Sequence, residues 1–575
     1  MRESWEGTSR ACKIRVATPK GSPLSPISWM VQQQRRPDLE LAKSWFRECR
    51  DNHKFCVTLS PSHDAYPTRL LRITSDASEI IAVSLTESRD ARGPYLALSH
   101  CWGTVKPLVT TSMNYETHRK GIRLQDLPAS FQHAVLVTRY FGFEFLWIDS
   151  LCIMQDSRED WERECPRMAD IYSNATVTIA ASDAPNSSQG FLHDYPPADA
   201  DIISLNVRAG LECDGITAPI MLECATEIPS IGVTMANDWG TNLSTRGWAL
   251  QERLLSNRML SFRKSRTVWE CQQVCYADDR HHPFTLGPMM LSEIAQVRRV
   301  EDINTEGEIF QYWREVAETF ADCSLTHVSD RLPALSGLAS RFSLRLNDNY
   351  AAGIWLRDIH AGLSWNVEHR YGFDPKFPQR RLCSYVESAG QEYLKTIPSW
   401  SWLSSGCGVS FESRFDQPGR MRSDLQISSV EINLSGTDSF GRVRGGRLKV
   451  NGRIKNCILD SRSHNQNLYD DVYDQESTAK VASLVADCSY IQGPRNNNRG
   501  HRRNATALFL AKCDPKGDDI GLELALALQP VHDTGGAAEQ TFRRIGIIAW
   551  SSNMDDCKEG KAWFENGVHS CLTIV

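Results

Sequence analysis

The stretch LWIDSLCIMQDSREDWERECPRMADIYSNATVTIAA, Leu146 to Ala181, carries the alternation that decides the fold. Its first residues complete an apolar run from Phe143 to Ile148, which reads as a buried strand ended by the charged Asp149. Asp160 to Tyr172 then reads as an amphipathic helix, with Trp161, Cys165, Met168, Ala169 and Tyr172 on one stripe. Ala175 to Ala181 is a second buried strand. Upstream, Tyr95 to Ser99 is a further short apolar run, ended by His100-Cys101-Trp102-Gly103, and Ser130 to Tyr140 is helical. Strands separated by helices predict an α/β core with a parallel sheet covered on both faces. In such sheets ligands gather beyond the carboxyl ends of the strands.

Away from this core the pattern changes in both directions. Residues 1–36 are Pro/Ser-rich and read as a mobile lead-in. Residues 37–90 hold a helix from Asp38 to His53 and a strand pair between Leu70 and Leu85, turning at Thr74-Ser75-Asp76. Residues 91–255 are the α/β core. Residues 256–375 form a connector (Asp278 to Pro288) and a helical segment, with helices expected over Glu308–Phe320, Asp330–Phe342 and Ala352–Trp365. Residues 376–575 carry strand-like runs separated by Gly, Asn and Asp, at Leu425–Leu434, Arg447–Ile454, Thr506–Ala511, Gly521–Leu528 and Ile545–Trp550. These predict an antiparallel β-rich module.

Composition narrows the class. The 575 residues exceed one ordinary hydrophobic core, and 41% apolar with 23% charged residues fits a soluble globular chain. A net charge of −6 argues against a nucleic-acid partner. The local basic run RNNNRGHRR, Arg495 to Arg503, reads as a solvated loop. No secretory signal or membrane-spanning apolar run is visible, so a cytoplasmic protein is expected. The 18 cysteines are spread along the chain and read mostly as buried thiols. There is no GxxxxGK[ST], GxSxG or HExxH motif, so those enzyme classes lack their usual signal.

Three ordered segments carry a family resemblance. YLALSHCWG (Tyr95 to Gly103), LWIDSLCIMQDSREDWERECPRMADIYSNA (Leu146 to Ala175) and STRGWALQE (Ser244 to Glu252) resemble the opening, central and closing blocks of the fungal heterokaryon-incompatibility (HET) domain. Cys49-x3-His53-x2-Cys56 resembles a Cys/His pattern found upstream of such domains. Trp269-Glu270-Cys271, DRLPALSGLA (Asp330 to Ala339) and Pro398-Ser-Trp-Ser-Trp402 resemble segments found downstream. Met154 departs from the pattern, which more often has Asn there. HET domains trigger regulated cell death when genetically different fungal cells fuse, and they have been related to Toll/interleukin-receptor (TIR) domains. The resemblance therefore implies a flavodoxin-like, TIR-like core, self-association and a role in nonself recognition. A protein partner from an incompatible strain fits the same picture. No cofactor is expected to be required, and NAD enters as a candidate substrate for glycosidic cleavage. A non-catalytic interaction scaffold is the third reading.

The candidate catalytic carboxylates are Asp149, Glu164 and Glu252. The candidate ligand-binding residues are Ser99, Trp102, Gly103, Arg246, Trp248 and Gln251. Each has a plainer alternative. Asp149 stands at a strand's end, where a carboxylate serves chemistry, pairs with Arg246, or bonds the amides of the next turn. Glu164 sits on a different helix face from Glu162 and could stabilise an oxocarbenium-like state or simply form an exposed ion pair. Arg246 and Trp248 could hold a phosphate and a base, or, with Gln251 and Glu252, close the domain as a polar network. Trp102 lines a pocket or packs, and Gly103 permits a tight turn or close backbone approach. Asp156 or Ser157 caps the next helix, and for Asp156 capping is preferred to a role in the site. Cys152 reads as a structural thiol rather than a nucleophile paired with His100. Cys49, His53 and Cys56 offer three metal-type ligands without a fourth, so packing is preferred and no metal is expected. Cys271-x3-Cys275 followed by His281-His282 is a looser pattern still.

Overall fold

The computed structural model describes residues 13–17, 36–56, 66–76, 79–90, 93–103, 107–194, 221–225, 241–264, 266–278, 305–367, 392–417, 419–460, 469–477, 479–487, 502–513, 521–531, 540–551 and 563–575. His281, His282 and most of the Arg495–Arg503 run lie outside them. The chain divides into two compact units that interleave in sequence. The first takes residues 1–161, 171–244 and 256–295; the second takes 162–170, 245–255 and 296–575.

Strand β1 (Lys13–Ala17) lies in the segment expected to be a mobile lead-in, and it pairs with the later β8 (Met221–Ala225). Helix α1 (Leu39–Asn52) starts where Asp38 accepts the amide of Leu41 at 2.9 Å, satisfying a donor the helix leaves open. It buries Ala42, Phe46 and Cys49. Strands β2 (Arg69–Asp76) and β3 (Glu79–Glu87) form the expected pair, but β2 continues through Thr74-Ser75-Asp76, so the turn falls later.

The core follows with β4 (Tyr95–Ser99), α2 (Tyr115–Lys120), β5 (Ile122–Arg123), α3 (Ala129–Phe141), β6 (Phe145–Trp147) and α4 (Asp149–Cys152). The expected helix from Asp160 to Tyr172 is broken. Helix α5 (Arg158–Glu164) passes through a tight turn at Cys165–Arg167 into α6 (Met168–Asn174). Pro166 is the cause, because its ring clashes with the preceding turn and offers no N–H. Strands β7 (Val177–Ala181), β9 (Arg258–Phe262), β10 (Thr267–Cys271) and β11 (Cys275–Ala277) complete a nine-stranded sheet.

Only the centre of that sheet is parallel: β6, β4, β7 and β9 lie side by side in that spatial order. Antiparallel strands extend it on both flanks, so the expected parallel core lies within a larger mixed sheet. Every residue of β4, β6 and β7 is buried, which explains why these strands read as continuous apolar runs. Counted along the chain, the four parallel strands stand in the order second, first, third, fourth, as in doubly wound flavodoxin-like sheets. The order reverses at β4, which places the switch point beside the carboxyl end of that strand.

The second unit contains α7 (Gly247–Leu255), α8 (Glu306–Ala321) and α9 (Pro333–Leu346). The expected helix over Ala352–Trp365 is instead a hairpin of β12 (Tyr350–Ala351) and β13 (Ile354–Trp355), then a single helical turn α10 (Ile359–Gly362). Ala352 and Gly353, at φ 44° and 98°, make the two-residue turn, a geometry that overrides local helical spacing. Strands β14 (Asn366–Val367) and β15 (Val409–Ser410) pair with each other. The β-rich expectation is met by β16 (Met421–Arg422), β17 (Gln426–Leu434), β18 (Val443–Asp460), β19 (Tyr469–Asp474), β20 (Lys480–Ala486), β21 (Arg502–Cys513), β22 (Leu522–Pro530), β23 (Thr541–Ser551) and β24 (Val568–Ile574). They form one sheet, antiparallel except where β23 meets β24.

Candidate functional site

The first unit gathers Ser99, His100, Trp102, Gly103 and Asp149 at the switch point. Ser99 and His100 are buried at the end of β4. Asp149 follows β6 and opens α4, with about a fifth of its side chain exposed. Its Oδ2 accepts the Trp102 indole N–H at 2.8 Å, and its Oδ1 accepts the Ser150 amide at 2.7 Å. His100 Nδ1 stands 3.7 Å from Oδ1, close enough for attraction when the ring is protonated but too long for a hydrogen bond. The edge of Phe131 fixes the imidazole at a centroid distance of 5.0 Å. Asp149 thus takes its partners from its own unit: an indole, the following turn's amide and a nearby imidazole.

Gly103 is required here. Its φ is +73°, and an added Cβ would lie 2.4 Å from Asn186 Cβ and 2.9 Å from the Pro185 carbonyl. The loops after β4 and β7 therefore approach backbone to backbone beside the Trp102–Asp149 pair. Gln155 Nε2 donates to the carbonyls of Asp149 (3.2 Å) and Ile153 (3.1 Å), which holds the turn that presents Asp149.

Below the rim, Arg69 and Asp160 form a buried ion pair. Arg69 Nε donates to the Cys152 carbonyl at 2.6 Å, and Asp160 also accepts the Met154 amide at 2.7 Å. The backbone of Met154, not its side chain, makes this bond, so the exchange of Asn for Met leaves it intact. Cys152 is 1% exposed and sits in the packed layer, in keeping with a structural thiol. Asp156 does not cap α5. Its carboxylate accepts the amide and hydroxyl of Ser112, which holds it below the usual carboxylate range, and Ser157 Oγ accepts the Asp160 amide at 3.2 Å instead.

The remaining candidates belong to the second unit. Glu164 is not an exposed partner: it is 1% exposed, and Arg163 Nε donates to it at 3.1 Å from a half-exposed position. The main chain at Arg246 pairs with Ser324, and the Gly247 amide donates to the Ser324 carbonyl at 2.9 Å. Trp248 directs its indole N–H at Asp330 Oδ2, a long 3.4 Å, while Asp330 Oδ1 accepts Arg442 at 2.9 Å. Gln251 is buried and accepts the Gly337 amide at 3.0 Å. A Cβ on Gly337 would fall 2.6 Å from Ala169 Cβ, so that residue too must be glycine. Glu252 is buried at 5% exposure. Beside these groups, burial and the carboxylates of Asp330 and Asp438 push the Cys165 thiol up to about 12, which keeps it protonated and unreactive. Gln251 and Trp248 thus tie α7 to the DRLPALSGLA segment.

Sequence reading did not anticipate the Arg69–Asp160 pair, the role of Asp330, or Cys271 as a companion of Cys49, His53 and Cys56. Arg69 and Asp160 lie 91 residues apart, beyond any local signal. His100 was visible within the first motif; its closeness to Asp149 was not.

The fold and the rim of polar groups define an α/β protein with a candidate site at the switch point of a doubly wound sheet. Residues 95–252 match the family described as Heterokaryon incompatibility protein (HET), which makes this a HET domain-containing protein. No curated protein and no solved structure matches the chain. Among the described residues no helix is long and apolar enough to cross a membrane.

Proposed function

We propose that this protein is a nonself-recognition effector, acting in the fungal cytoplasm, whose HET domain triggers regulated cell death on self-association. The observation that carries the reading is the family match over residues 95–252, whose first block ends at the switch point and whose second block brings Asp149 to it. A partner from an incompatible strain would shift the chain toward the assembled state. Induced expression in a filamentous fungus should arrest growth. Full viability at verified protein levels would overturn the effector reading. Toxicity undiminished by Asp149→Ala combined with Trp102→Ala would remove the switch point from the mechanism.

One observation favours a catalytic form of this function. Asp149 is a partly exposed carboxylate beside an indole at the sheet's carboxyl edge, a setting suited to holding a nucleoside and supporting an oxocarbenium-like state. On this reading the protein is a TIR-like glycohydrolase and NAD is its substrate. Concentrated protein should release nicotinamide from NAD, and Asp149→Asn should lower the rate ~10²-fold or more. Absence of turnover under conditions that demonstrably assemble the protein would leave the non-catalytic scaffold. Glu164→Gln separates the carboxylates: an unchanged rate removes Glu164 from the chemistry.

A further inference from the structure

We infer that the first unit contains a structural zinc site formed by Cys49, His53, Cys56 and Cys271. The four ligand atoms lie within 4.8 Å of one another, and all four residues are buried. His53 Nδ1 is 3.9 Å from Cys56 Sγ and 3.4 Å from Cys271 Sγ. Tetrahedral zinc, with bonds of ~2.3 Å to sulfur and ~2.0 Å to nitrogen, sets sulfur and nitrogen ligands about 3.5 Å apart, close to both values. None of the three thiols is in a disulfide.

The protein builds this cluster from distant parts of the sequence. Cys49 is in the last turn of α1, His53 is its C-cap, and Cys56 ends the tight turn Lys54–Cys56. Cys271 is the last residue of β10, 218 positions beyond His53. Packing alone can bury thiols, but it does not aim an imidazole nitrogen at two of them.

Two features around the ligands point to a metal independently of their spacing. The chain turns sharply after Cys271, so that the Val274 amide donates to Cys271 Sγ at 3.3 Å, as backbone amides do to metal-bound thiolates. Directly across the ladder from Cys271 stands Arg258, 2% exposed, whose Nε donates to Cys49 Sγ at 3.2 Å and whose guanidinium also holds the Cys56 carbonyl. Zinc bound by three thiolates and a neutral imidazole carries one net negative charge. The buried guanidinium beside the ligands has the sign that offsets it. Four protein ligands with none open to solvent mark a structural rather than a catalytic centre. Its effect is to fasten the end of α1 onto β10, one strand in from the edge of the sheet.

The test uses the full chain purified from zinc-replete cells. Metal analysis should find about one zinc per chain. Cobalt(II) added to chelator-stripped protein should give the visible and near-ultraviolet bands of a tetrahedral sulfur-rich site, and equimolar zinc should abolish them. Cys49, Cys56 and Cys271 should resist alkylation until a chelator is added. Cys271→Ser should lose the metal and Cys513→Ser should keep it. If the serine variants do not fold, the cobalt titration of the unaltered chain still decides. Protein with no zinc and no tetrahedral cobalt spectrum would overturn the site. Zinc retained undiminished in Cys271→Ser would overturn the fourth ligand.

Discussion

The two units bury charge in contrasting ways. In the second, Arg544 is fully buried in β23 and completely engaged: Nε donates to Asp487 at 3.2 Å, one terminal nitrogen to the Leu363 carbonyl at 2.8 Å, the other to the Trp365 carbonyl. The guanidinium also lies 3.6 Å from the centre of the Trp365 ring. Burial still pushes Asp487 up to about 6 against that cation. In the first unit, Asp149 stays partly open, with one indole and one amide as hydrogen-bond donors and an imidazole near but not bonded. A carboxylate sealed in the interior against a buried guanidinium stabilises a fold. One left partly open at the mouth of a sheet stands where a ligand would be met.

Mutation can break this contrast. Arg544→Ala strands Asp487 in an apolar interior and should lower stability by about 3–5 kcal/mol, read as a shifted urea midpoint. Asp149→Ala should cost about 1 kcal/mol, since the carboxylate itself keeps contact with solvent although Ser150 behind it is buried. Equal losses from the two would make Asp149 structural. The next effect is at Gly103, where alanine meets a left-handed φ and the Pro185–Asn186 backbone together. Gly103→Ala should cost about 1–3 kcal/mol and disturb the fluorescence of Trp102. An unchanged spectrum and stability would show that the two loops do not need their close approach.

The smallest effect is set by pH. His133 Nδ1 accepts the amides of Phe191 and Leu192 at 2.9 and 3.0 Å, so this nitrogen must be unprotonated in the folded chain. Burial, with a lesser push from His193, lowers its pKa below the ordinary 6.5. A depressed histidine contributes stability that is present above its unfolded value and lost as pH falls below it. The amides of Phe191 and Leu192 should therefore lose exchange protection, after correction for intrinsic rates, between about pH 7 and pH 5. Constant protection across that range would remove His133 as the latch of the loop after β7.

The sequence was legible where a residue's neighbours determine its state. The strands β4, β6 and β7 stood out because burial on both faces excludes polar residues, and α1 stood out through the near-helical spacing of Leu39, Leu41, Trp45, Phe46 and Cys49. The Ala352–Gly353 turn was hidden because alanine gives no sign of a positive φ. The broken helix at Pro166 was in principle visible, but the apolar stripe continues across the break and masks it. The candidate site was legible as motifs and not as partners. That Asp149 would bond Trp102 was not evident, nor that Glu164 would be buried, because those outcomes depend on how distant segments pack. Of the flanking antiparallel strands, β2 and β3 were expected as a pair, whereas β10 and β11 escaped the α/β pattern, since hairpins such as β9–β10 need no helix between them.

Those flanking strands bear on how the protein is made. The sheet is begun by β2 to β7 but is closed on its other side only by β9 to β11, the last of which ends at Ala277. Until β9 leaves the ribosome, β7 is an uncovered edge of apolar residues, open to pairing with another chain. The domain cannot mature while its own blocks are being translated. Synthesis itself thus delays completion of the switch point, and a chain cut short anywhere before β9 ends as a sticky fragment rather than a finished domain.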